Sequence, residues 1–254
     1  MLDFYKNNKL KNAFTMVEIM ITLLIVGVVA GITLPNLFQK VNEQNTVKKV
    51  QKAYSVLSQA YLYASDEYGT PGNWGVRTRD IANSVIIRDK LLSKIKYTNK
   101  CEDSSDQTKC GVAKKYKYCE KCTTYSPDFL PKNSSSALIA DGMGVMFMTD
   151  YVEIKDGDNI RGTIPALHTI GWILVDVNGA KLPNVLGKDM HAFYLSDVGI
   201  TPQGLPQEVG GRFSYNVNTT CRSKGLGCTG WVIKEKNMNY LHSSKCSWTN
   251  TSCK

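Results

Sequence analysis

The chain has 254 residues, 43% of them hydrophobic and 21% charged, which excludes a mostly disordered polypeptide and suffices for one large domain or two small ones. Lys and Arg outnumber Asp and Glu by 31 to 22, a formal net charge of +9 that is spread along the chain and points to no specific nucleic acid. Only three histidines occur, His168, His191 and His242, which disfavours a His-rich metal site or a His-based relay.

Residues 1–13 form a short basic stretch in which Lys6, Lys9 and Lys11 against Asp3 give a net +2. Residues 14–34, FTMVEIMITLLIVGVVAGITL, hold 21 residues and one charge, Glu18. As a helix this segment spans about 31 Å, the thickness of a bilayer's hydrocarbon core. Lysines ahead of it place that end in the cytoplasm, at the inner membrane, and everything after Pro35 outside. A cleaved secretory signal, with Val28-Val29-Ala30 as its small-residue site, is one competing reading. A plain membrane anchor is another. Neither uses Glu18, whose carboxylate costs roughly 2.5–3.5 kcal/mol at a membrane's centre and asks for a partner charge.

The run Ala13-Phe14-Thr15-Met16-Val17-Glu18-Ile19-Met20, followed by an apolar stretch and Pro35, resembles the cleavage and methylation segment of type IV prepilins and type II secretion pseudopilins. The resemblance covers about 25 residues and carries several expectations with it. A prepilin peptidase cuts between Ala13 and Phe14, and the new amine of Phe14 is methylated. Ala13 stands where the family usually has Gly. Glu18 and Phe14 serve assembly with other pilin-like subunits, driven by inner-membrane assembly machinery, and Pro35 sits where the family often has a helix-kinking proline. The chain then divides into a cytoplasmic leader at 1–13, a transmembrane and assembly helix at 14–34, an amphipathic helix at 35–68 and an extracytoplasmic head at 69–254.

From Asn36 to Tyr68 no Gly or Pro interrupts the chain. Val47, Val50, Tyr54, Leu57, Tyr61, Ala64 and Tyr68 recur at spacings of three and four, an apolar stripe on a helix. The membrane segment is therefore expected to continue into one helix of about 55 residues, ended by Gly69-Thr70-Pro71-Gly72. A short helix is expected over 81–95 and a loop over 99–127. The period then changes to two. Strands are expected at 137–140 and 145–148, joined at Asp141-Gly142, and at 170–177, 192–195 and 230–233. Consecutive short strands predict an antiparallel sheet, whose one apolar face packs on the helix stripe. The fold class is α+β: a long N-terminal helix on an antiparallel head, which is also what the resemblance implies.

Eight cysteines, Cys101, Cys110, Cys119, Cys122, Cys221, Cys228, Cys246 and Cys253, all follow the membrane segment. In an oxidising space they read as local disulfides, Cys221 with Cys228 and Cys246 with Cys253, plus two within the first four. A zinc or redox role for Cys119-x-x-Cys122 stays open beside this. Asp176, Asn178 and Asp189 offer hard oxygens around a glycine turn, a candidate calcium loop set against a plain long connection with Asn-Gly and Pro-Asn turns. Some pseudopilins hold calcium in a C-terminal loop, so the resemblance adds to the first reading. No nucleotide loop or nucleophile elbow occurs, so the chain reads as a non-enzyme with no other cofactor. Two functions follow: a structural subunit of a pilus or secretion pseudopilus, or a membrane-anchored extracytoplasmic binding or redox module with a pilin-like anchor.

Overall fold

A computed structural model of the chain describes residues 14–102, 107–113, 115–119, 122, 125–126, 133–149, 153–155, 158–161, 169–205 and 217–254. The leader, Ala13 included, lies outside them. The chain divides into two units, residues 1–42 and 43–254. One element runs through both, the helix α1 at Met16–Tyr68.

In the first unit every side chain from residue 14 to 42 is exposed except that of Ala30, which is half-buried. The apolar part of α1 has a mean hydropathy of 2.5 over 18 residues, long and apolar enough to cross a membrane. Its threonines return their hydroxyls to the helix: Thr22 Oγ1 donates to Ile19 O and Thr33 Oγ1 to Val29 O. No polar side-chain atom of these two residues needs a partner from outside. Pro35 lies inside the helix.

In the second unit the later half of α1 presents Val47, Val50, Ala53, Leu57, Ala60, Tyr61 and Ala64 to the core. The buried stripe thus departs from the expected one at two tyrosines. Tyr54 is half-buried and stacks on Phe193, and Tyr68 is exposed. Ala53, Ala60 and Ala64 are buried in the stripe beside Val50 and Leu57. Gly69, at φ +75, ends the helix, and its carbonyl accepts the Trp74 indole N–H. The helix α2, Ile81–Leu92, follows, with Asp80 as N-cap accepting from the Asn83 N–H at 2.7 Å. It buries Ile87, Leu91 and Leu92, and also Arg88, whose guanidinium donates to Cys101 O and to Asp89.

The strands are β1 (Tyr97–Cys101), β2 (Tyr116–Lys117), β3 (Tyr125–Ser126), β4 (Ser134–Ile139), β5 (Gly144–Thr149), β6 (Glu153–Lys155), β7 (Asp158–Arg161), β8 (Thr169–Asp176), β9 (Met190–Ser196) and β10 (Gly199–Pro202). Six form one sheet in the order β1-β4-β5-β8-β9-β10, and every neighbouring pair is antiparallel. The fold is α+β. The β4–β5 hairpin turns at Asp141-Gly142, with Gly142 at φ +85.

Three expectations fail, each for a physical reason. Residues 99–127 are more than a loop: they supply the end of β1, the strands β2 and β3, and the side chains of Val112 and Tyr116. Those side chains correct the second expectation, because the sheet has two apolar faces. Ala137, Val145, Phe147, Ile173, Val175 and Phe193 face the helices, while Met146, Met148, Leu174, Met190 and Ala192 face Val112, Tyr116 and Leu186. Strands covered on both sides read as continuous apolar runs, and β5 and β9 are buried at every residue. Third, residues 230–233 are helical, within α3 at Cys228–Glu235. Gly227, at φ +78, turns the chain into it. The Gly230 N–H donates to Gln203 O, and Thr229 Oγ1 accepts the Ala192 N–H. The first turn of α3 therefore satisfies its unpaired donors on the β9–β10 region, while Trp231 and Val232 enter the core.

Candidate functional site

Two places carry chemistry beyond packing: the start of α1, and the connection between β8 and β9.

At the first, Thr15 and Glu18 cap the helix reciprocally. The Glu18 N–H donates to Thr15 Oγ1 at 3.2 Å, while the Thr15 N–H and its hydroxyl both donate to Glu18 Oε2 at 2.8 Å. This is a capping box, Thr-x-x-Glu, and it fixes where the helix begins. The carboxylate that the sequence singled out by charge is thus held at the helix entrance by the residue next to Phe14. Phe14 itself is exposed. The spacing was open to reading in the sequence, since a Thr three residues before a Glu ahead of an apolar run is a helix-start signature.

At the second, residues 177–189 leave β8 and return to β9. Gly179, at φ +68, makes the first turn, and Asn184, at φ +51, occupies the left-handed region that asparagine tolerates. Asp189 holds the loop together. Its Oδ1 accepts the Val185 N–H at 2.6 Å, and its Oδ2 accepts the Asn184 N–H at 2.8 Å and the Asn178 side-chain amide at 3.2 Å. Asp176 is fully buried and accepts the Asn178 N–H at 3.3 Å through Oδ1. Burial, and then the charge of Asp189, push the Asp176 acid up to about 9, against the pull of nearby N–H groups and Lys49. Asp189 is also raised by burial, opposed by the N–H groups it accepts. The Lys49 ammonium, on α1, donates to Val177 O at 3.1 Å and closes the loop's other end.

The cysteines are bonded as Cys101–Cys110, Cys119–Cys122, Cys221–Cys228 and Cys246–Cys253. Cys119 and Cys122 are joined to each other. Among the described residues no three of His, Cys, Asp and Glu gather to hold a metal. The structure adds two buried polar residues that the sequence did not flag, Arg88 and His191. His191 lies on β9, where burial lowers its pKa to about 4. His242 sits at the surface and pairs with Glu43 at 2.8 Å.

Residues 8–34 match the family model of the prokaryotic N-terminal methylation motif. That motif is the hallmark of the prepilin-type segment of type IV pilins and pseudopilins, and this chain carries it. No curated protein and no solved structure matches the chain significantly. The N-terminus is similar to that of pilins, and the motif, with the one membrane-length apolar helix found among the described residues, fits anchoring in a membrane.

Proposed function

We propose that this protein is a structural subunit of a type IV pilus or a type II secretion pseudopilus, without catalytic activity of its own. The observation that carries the reading is the methylation motif at residues 8–34, set on a helix whose apolar side chains are exposed among the described residues. In this reading a prepilin peptidase cuts after Ala13 and exposes the α-amine of Phe14. The protein rests in the inner membrane with its N-terminus in the cytoplasm, until assembly machinery moves it into a filament outside. There the apolar helices of neighbouring subunits cover one another. Glu18 then lies in a low dielectric and takes its opposite charge from the Phe14 amine of the next subunit, which sets the axial register.

Mass spectrometry of protein recovered from sheared filaments tests this. The expected N-terminus is N-methylated Phe14; removal of residues 1–13 takes away a net +2 and leaves a formal charge of +7. An intact Met1 in assembled material, or a start at Gly31, overturns the processing. Finding the protein only as a dispersed monomer after membrane extraction favours an anchored binding module instead.

A further inference from the structure

Within the head, the later half of α1 meets the start of the sheet along a groove. Lys48, Lys52, Val56, Gln59 and Tyr63 follow one another at spacings of four, four, three and four, so they share one face of the helix. Opposite them stand Lys94-Ile95-Lys96, the link from α2 to β1, and the β4–β5 turn at Asp141. The cleft between the two walls holds about 310 Å³. Its floor is apolar, made by Val56, Ala60, Ile95 and Ile139. Tyr63 stands at its side, 60% exposed. The charged side chains lining it are Lys52, Lys94 and Lys96 against Asp141, an excess of two positive charges. Lys52 pairs with Asp141 and Lys94 with Glu67, each at 2.9 Å. Lys96, and Lys48 one turn before Lys52, have no ion pair among the described residues.

We propose that this groove docks an acidic peptide segment of a partner protein, with one apolar side chain on the floor and carboxylates on Lys96 and Lys52. Two halves of the site ask for two kinds of group at once. An apolar floor gains from an apolar side chain, and unpaired lysines at its rim gain from acids. An inorganic anion would leave the floor bare, and an uncharged chain would leave Lys96 unserved. A nucleic acid would set its phosphates against Asp141. A second copy is disfavoured by charge, since each chain carries a formal +9. The lysine stems add apolar wall while their ammonium groups stay in water, where they can turn toward an incoming acid. Exposed pairs such as Lys94 with Glu67 are weak, so exchanging one carboxylate for another costs little. Tyr63 supplies a rigid ring with a polar tip, a residue type that interfaces favour. The groove is built from residues of the head alone, and docking there does not depend on the filament reading.

The test uses the full-length protein in an uncharged detergent. A random-peptide phage library is selected on it and counter-selected on Lys96→Glu. Enriched peptides are expected to carry acids on both sides of an apolar residue. The best of them, synthesised with a fluorescent label, is expected to bind in anisotropy titrations with a dissociation constant of about 10–100 μM, as suits a small contact. Lys96→Glu should weaken it at least about tenfold, and raising the salt from about 50 to about 500 mM should weaken it several-fold. Tyr63→Ala should weaken it by a smaller factor. Both replaced side chains are exposed, so both variants should melt like the parent. No enrichment over the counter-selection overturns the proposal, as does enrichment of peptides without acids. Binding that Lys96→Glu leaves unchanged also overturns it, because the peptide then sits elsewhere. Carbodiimide coupling of Lys96 to a carboxylate of a second, isotope-labelled copy overturns the partner in favour of self-association.

Discussion

Residues 14–42 and residues 43–254 solve opposite problems with the same kinds of side chain. In the first, Phe14, Leu23, Leu24, Val26 and Ile32 are each more than 60% exposed. In the second, even Arg88, Asp176 and His191 are sealed from solvent. An exposed apolar helix is stable only where something else replaces water, so its sequence specifies an environment. The head covers both sheet faces with its own residues and specifies an interior. The lesson concerns polar groups: the helix returns its hydroxyls and its carboxylate to its own backbone, whereas the head spreads them over several elements.

The sharpest way to break this contrast is at Glu18, because it is the one charge on the apolar segment 14–34. Glu18→Ala should leave a processed, inserted and folded protein whose recovery in sheared filaments falls at least about tenfold, as expected for a charge stranded in an apolar bundle. Glu18→Gln sharpens the result. Glutamine still completes the capping box with Thr15 and carries no charge. Failure of both variants points to charge pairing; assembly of the Gln variant alone assigns Glu18 to helix capping. A processing defect in either shows that the peptidase reads this residue.

Within the head the largest effect belongs to the core. Phe193→Ala removes a ring that is fully buried and stacked on Tyr54, and should cost about 3–5 kcal/mol in denaturant unfolding while leaving membrane insertion unchanged. Replacing Cys221 and Cys228 together by Ser should cost about 2–4 kcal/mol, read as a lowered melting temperature under non-reducing conditions. The smallest effect is at the cap of α2. Asp80→Ala should cost about 1 kcal/mol at neutral pH. The Asn83 N–H holds the Asp80 pKa below its ordinary 3.8. Its contribution is therefore complete above that value and disappears as the pH falls through the lower folded one, so the two proteins should converge in stability in acid. A difference that stays constant into acid rejects the cap as the cause.

The elements governed by local rules were legible in the sequence: the helix stripe by its period, the Asp141-Gly142 hairpin by its turn chemistry, and the strands at 145–148 and 192–195 as short apolar runs. The second covered face was not, because Val112 and Tyr116 sit in a lysine- and cysteine-rich stretch whose apolar residues show no period. The segment 230–233 misled for a related reason: Gly-Trp-Val-Ile has strand composition, and its helix is imposed by donors finding Gln203 and by the bond at Cys228. At the β8–β9 connection the types Asp, Asn and Asp were visible. Which of them holds the loop together was not, because that depends on the folded hydrogen bonds.

The four sulfur bridges each close a very small ring. Their partners lie 9, 3, 7 and 7 positions apart, and none encloses another cysteine. Each cysteine therefore meets its correct partner first when the chain emerges in order, since short rings close more readily than long ones. Of the 105 ways to pair eight cysteines, the native set is the one that simple sequential oxidation yields. Oxidation can be finished before the sheet is, and the bridges transmit no constraint between distant parts of the head. The cross-chain order of the strands is left entirely to packing, so reducing agents should loosen individual loops one by one and spare the arrangement of the sheet.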